Sequence, residues 1–110
     1  MSVIVNLALF PTDKGQSVSP YVARAVRVVE ESGLPYCVHS MGTCIEGEWD
    51  EVMSLVGRCF KELEKDCDRI YLTLTADCRK GESRRMESKV AAVKGDVAGQ
   101  VPAGARSGLG

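Results

Sequence analysis

At 110 residues, 45% hydrophobic and 26% charged, the chain has the composition of one ordinary soluble domain with a single core. A net charge of −1 and only 5% aromatic residues argue against a nucleic-acid groove, which needs a basic stripe with stacking rings. No apolar run approaches the roughly 20 residues that span a bilayer, and the N-terminal Met-Ser-Val-Ile-Val lacks the basic region of a signal peptide, so no membrane partner and a cytoplasmic location are expected.

Ser2 to Phe10 predicts a first strand. Val3, Val5, Leu7 and Leu9 fall on one face, and Ile4, Asn6, Ala8 and Phe10 on the other, the double-sided apolarity of a central strand. Pro11 and the polar run from Thr12 to Gln16 end it. Ser19-Pro20 reads as an N-cap followed by proline at the first helical position. Val18, Tyr21, Val22, Ala25, Val26 and Val29 then recur at helical spacing until Gly33 and Pro35 stop the helix. Tyr36 to Ser40 and Thr43 to Glu46 predict two strands joined by a tight turn at Met41-Gly42.

The second helix is expected from Asp50 to about Cys67, with Trp49, Val52, Met53, Val56, Cys59, Phe60 and Leu63 on its apolar side. Glu48, Asp50 and Glu51 crowd its first turn, where the helix dipole favours negative charge. Arg69 to Ala76 alternates as a fourth strand, and a shorter helix is expected from about Ser83 to Lys94. The Gly- and Ala-rich stretch 95–110 reads as a flexible tail. A single domain over 1–94 with the order βαββαβ is the split βαβ pattern of the α+β ferredoxin-like sandwich, here with an extra C-terminal helix. Two helices would cover one sheet face through the Val3/Val5/Leu7 and Ile70/Leu72/Leu74 sets. The other face, with Ala8, Phe10, Tyr71, Thr73 and Thr75, is left semi-apolar, which favours self-association to a dimer or tetramer.

Leu34 to Trp49 holds the only His, the only Trp and two of the five cysteines. Those cysteines, Cys37, Cys44, Cys59, Cys67 and Cys78, are odd in number and include no Cys-x-x-Cys pair, so neither a disulfide framework nor a zinc ribbon is indicated. Cys37-x-His39 with Cys44 nearby has the elements of a metal site, but reduced thiols acting as small hydrophobes are the simpler reading, and no metal is expected. His39 has no Ser or Asp at triad spacing. Trp49 is read as core, and Asp77 either as a local ion pair with Arg79 or as a hold on the start of the third helix. Glu46, at the end of a short strand, is placed to accept hydrogen bonds from an amino group or a cation. Ser17-Val18-Ser19 sets two hydroxyls beside free helix N–H groups, a site suited to an anion or polar ligand. Nucleotide-phosphate glycine motifs are absent.

Several segments together resemble the thiamine-binding-protein family, related to the YkoF-like carriers of thiamine and its hydroxymethylpyrimidine part. The resemblance is carried by Ser17-Val18-Ser19 with Tyr21-Val22, Ser32 to Tyr36, Met41 to Gly47 running into Trp49 to Met53, Asp77-Cys78-Arg79, and Met86 to Val90. It spans about Val3 to Lys94; Cys44, Cys78 and the tail depart from it. It implies a ferredoxin-like protomer that assembles into dimers and tetramers and binds thiamine or hydroxymethylpyrimidine without catalysis. Carried over by position, Ser17, Ser19, Thr43 and Glu46 are the expected ligand-binding residues, with no catalytic residue and no cofactor beyond that ligand. Two alternatives are a regulatory or protein-interaction module using the Phe10/Tyr71/Thr73 face, and an enzyme using a thiol or His39 with Glu46.

Overall fold

Alternation along Ser2–Pro11 builds the centre of the sheet. This strand, β1, pairs antiparallel with Gly42–Glu48 (β3) on one side and Ile70–Arg79 (β4) on the other, and Tyr36–His39 (β2) adds to β3 as an edge. The sheet order is β2-β3-β1-β4. The coordinates are a computed structural model that describes residues 1–81 and 85–100. Within them three helices, Ser19–Glu31 (α1), Trp49–Glu64 (α2) and Arg85–Gln100 (α3), complete the order β1α1β2β3α2β4α3. This small α+β arrangement, a four-stranded antiparallel sheet with three helices, is consistent with a ferredoxin-like fold.

Side-chain parity explains the layers. Val3, Val5, Leu7 and Leu9 of β1 and Ile45 of β3 point to the face where α1 and α2 lie, and all five are buried. From α1 come Ala25 and Val29, and from α2 Val52, Leu55, Val56, Cys59 and Leu63, at spacings of three, four and seven that keep one helix stripe on the sheet. Leu55, fully buried, is absent from the stripe expected for α2, whereas Trp49, expected in the core, is 47% exposed at the helix start.

α1 and α2 pack chiefly on β1, β2 and β3, and of β4 only Ile70 and Leu74 pack partly buried against the core. Ile70 and Leu74 are accordingly half-buried and Leu72 is 39% exposed, so the second apolar set expected beneath the helices is only partly covered. The hairpin loop consists of Ser40 and Met41, one residue earlier than expected, because His39 pairs with Gly42. β4 runs three residues past Ala76, and its last three residues still pair with β1. α2 ends at Glu64 rather than near Cys67. α3 continues six residues past Lys94, through Gly95 and Gly99, into the segment expected to be a tail; the remaining tail, 101–110, lies outside the described residues, as do the first two residues expected for α3.

Candidate functional site

β1 outruns its neighbour. Its pairing with β3 stops at Leu7↔Thr43, while its pairing with β4 continues to Pro11↔Ile70. Beyond Leu7 the sheet therefore has a notch, closed at one end by the β2–β3 turn and overhung by α1. A cleft of about 490 Å³ occupies it. Because the notch interrupts the sheet, side chains of both faces border it. Leu9, Val22, Val26 and Val38 line it as apolar wall, Phe10 and Tyr71 as aromatic wall, and His39, Ser40, Thr43 and Thr73 as polar groups. Phe10 and Tyr71 are cross-strand partners whose rings stack at 5.3 Å between centroids and 29° between planes.

The turn is held by a short hydrogen-bond chain. The Met41 amide donates to His39 Nδ1 at 3.2 Å, which makes Nδ1 the acceptor and leaves Nε2–H to donate to Asn6 Oδ1 at 2.8 Å. Gly42 fits beneath this contact because a Cβ there would sit 2.8 Å from both Asn6 Oδ1 and the Leu7 carbonyl oxygen. His39 is thus an exposed residue at a strand end, engaged in fixing the turn.

A second cleft, about 680 Å³, lies on the sheet face away from α1 and α2, between the β2–β3 hairpin and α3. Pro35, Cys37, Glu46, Met86, Glu87, Val90 and Lys94 are among its lining residues. Glu46 is 4% exposed, and its carboxylate accepts the Arg85 amide at the first position of α3. A carboxylate placed there satisfies an orphan helix N–H and meets the positive end of the dipole. Arg85, 3% exposed, donates through its guanidinium to Ser2 O at 3.1 Å, Asp77 O at 2.8 Å and Asp77 Oδ2 at 3.1 Å. Lys89 also pairs with Asp77, and that hydrogen bond, ahead of the Arg85 charge, holds the Asp77 carboxyl below its usual range. Asp77 does hold the start of the third helix.

The four expected ligand residues do not converge. Thr43 is buried on the helix side and lines the first cleft, whereas Glu46 points to the opposite face and lines the second. Three positions apart on one strand, they have opposite parity. Ser17 and Ser19 are exposed and line neither cleft, although Val18 between them lines the first. Val18, not Ser19, is the N-cap of α1, without a side-chain capping bond, and Ser19 is the first helical residue. Cys37 is exposed rather than packed. Arg85 carried no sequence signal, since nothing about an arginine between two elements reveals that its guanidinium will be buried. Among the described residues, no group of three or more His, Cys, Asp or Glu is placed to hold a metal ion.

Comparison with known proteins gives this geometry a family. The sequence model described as thiamine-binding protein matches residues 5–94. A UPF0045 protein of Synechocystis is 37% identical over 95 residues, 86% of this chain and 78% of the relative; one from Mycobacterium tuberculosis is 38% identical over 95 residues, covering 86% and 93%. Among solved structures, a hypothetical protein of Methanocaldococcus jannaschii superposes with a TM-score of 0.78 at 31% identity, over 84% of this chain and 96% of that one. A Thermotoga maritima protein whose name connects it with thiamine biosynthesis or salvage superposes with a TM-score of 0.71 at 26% identity, over 82% and 99%. With a match that runs through both clefts and every strand, the chain belongs to the thiamine-binding protein family.

Proposed function

We propose that the protein is a non-enzymatic, cytoplasmic binder of thiamine or its hydroxymethylpyrimidine moiety, acting as a dimer or tetramer, and that the ligand enters the notch beyond Leu7. The observation that carries this reading is the notch itself, found in a chain of the thiamine-binding family. It combines an aromatic wall at Phe10 and Tyr71 with the Thr43 and Thr73 hydroxyls in a volume suited to a small heterocycle. An aminopyrimidine ring stacks on such a wall while hydroxyls satisfy its edge. Glu46, already engaged with the Arg85 amide, serves the ligand only if the second cleft is used instead.

Isothermal calorimetry with thiamine and with hydroxymethylpyrimidine tests this. Thr43→Val and Tyr71→Ala are each expected to weaken binding about tenfold, the equivalent of about 1.4 kcal/mol, with Glu46→Gln near wild type. The reverse pattern moves the site to the second cleft. Absence of heat from folded protein at millimolar ligand ends the reading.

A second reading, an oligomeric regulatory or interaction module without a small ligand, is favoured by the exposed apolar positions Val90, Val93 and Val97 on α3 together with Tyr71. Light scattering distinguishes the two when combined with calorimetry: a stable oligomer that binds neither compound supports the second.

A further inference from the structure

Two of the five thiols form a cross-strand pair. Cys37 of β2 lies directly opposite Cys44 of β3, on the face that also carries Asn6 and His39. The two-residue turn after His39, and the Glu46 amide donating to the Pro35 carbonyl at 3.0 Å, place this pair on a hydrogen-bonded rung of the hairpin. Such rungs separate Cα atoms by about 5.5 Å, inside the roughly 4.4–6.8 Å range of disulfides. Cys37 is exposed and Cys44 half-buried, so a small oxidant reaches the first and the second stands behind it. The other three cysteines have no such arrangement. Cys59 and Cys67 are buried in the core, and Cys78 lies on β4 opposite Val3, on the other face of the sheet.

We infer that Cys37 and Cys44 are a reversible, peroxide-responsive dithiol that closes to a cross-strand disulfide. The Cys37 thiolate attacks one oxygen of a hydroperoxide, the O–O bond breaks, and Cys37 becomes a sulfenic acid as the other oxygen leaves as water or an alcohol. The Cys44 thiolate then attacks the Cys37 sulfur, the S–S bond forms, and the sulfenic hydroxyl departs as water. Two thiols are oxidised by two electrons, and one peroxide is reduced by two. Burial raises the Cys44 thiol above its ordinary pKa, and the neighbouring Cys37 adds to that, which suits Cys44 to the second step rather than to the first attack. A hydrogen-bonded rung holds Cβ atoms farther apart than a relaxed disulfide prefers, and a strained, exposed bridge is readily reduced again by thiols.

The test uses the full chain and hydrogen peroxide, followed by alkylation, tryptic digestion and mass spectrometry. The peptide from Val28 to Arg58 contains Cys37 and Cys44 and no other cysteine. It is expected to lose the mass of two hydrogens and to resist alkylation, then to take two alkyl groups after dithiothreitol. Cys44→Ser is expected to abolish that loss and Cys78→Ser to leave it unchanged. Accumulation of Cys37 sulfinic acid with Cys44 still alkylatable, or a Cys37 bridge between two chains, overturns the inference.

Discussion

The Arg85 guanidinium donates to Ser2 O and to both the carbonyl and carboxylate oxygens of Asp77, while its Nε is buried without a hydrogen-bond partner among the described residues. An arginine at 3% exposure is tolerated only because those acceptors replace its water. Arg85→Ala removes the donors and leaves two backbone carbonyls underserved, so a loss of about 2 kcal/mol in urea unfolding is expected. Gly42 is constrained from the opposite direction, by space. Gly42→Ala drives a methyl onto Asn6 Oδ1 and the Leu7 carbonyl, at an expected cost of about 1–3 kcal/mol by thermal or urea unfolding. The same substitution displaces the Asn6–His39 contact that fixes the turn beside the notch.

At the scale of elements, α1 and α2 are joined by packing, by the Cys59 thiol donating to the Ala25 carbonyl at 3.6 Å, and by a polar clamp around Arg24. Arg24 on α1 donates to Glu62 Oε1 at 3.3 Å, Glu62 O at 2.7 Å and Asp66 Oδ2 at 2.9 Å. The hydrogen bond from Arg24 holds Asp66 below its usual pKa; for Glu62 the Lys65 contact does most of this and Arg24 adds to it. Folded-state values below unfolded ones mean that this stability is present above the ordinary carboxylate range, about pH 4, and is lost as pH falls through the depressed values. The urea midpoint is therefore expected to fall on acidification below about pH 4, and Arg24→Gln to flatten that dependence. Helix registers were largely legible, because the apolar stripes of α1 and α2 repeat at 3.6 residues; the exceptions include Leu55 and Val28, which join or pack against the core outside the expected stripes, and Trp49. The hydrophobicity of Trp49 predicts burial, but its place at the first position of α2 leaves it outside the core.

The whole molecule divides into a covered and an uncovered side. Leu55 has no exposure, so Leu55→Ala is expected to cost about 3 kcal/mol in urea unfolding. Val93 on α3 is 62% exposed, so Val93→Asp is expected to change unfolding by less than about 0.5 kcal/mol. The same change lowers the mass seen by light scattering if α3 forms a contact between copies. α3 is anchored through Glu46, Asp77 and Arg85 at its first turn, with Val90 and Val97 left exposed beyond it.

Element types, their order and the central position of β1 were legible in the sequence because periodicity and turn chemistry are local, and the family was legible through the resemblance of several segments taken together. The sequence also contained the parity that separates Thr43 from Glu46. Proximity along a strand suggested one site, whereas the alternation of side chains assigns them to two faces. The remaining features depend on strand register and on contacts between segments distant in sequence. The notch exists because β1 is longer than its pairing with β3, and that offset depends on strand register. Glu46 became a helix cap because α3, distant in sequence, returns to its face. The Cys37–Cys44 rung likewise needed the hairpin register, which a shift of one residue would have dissolved.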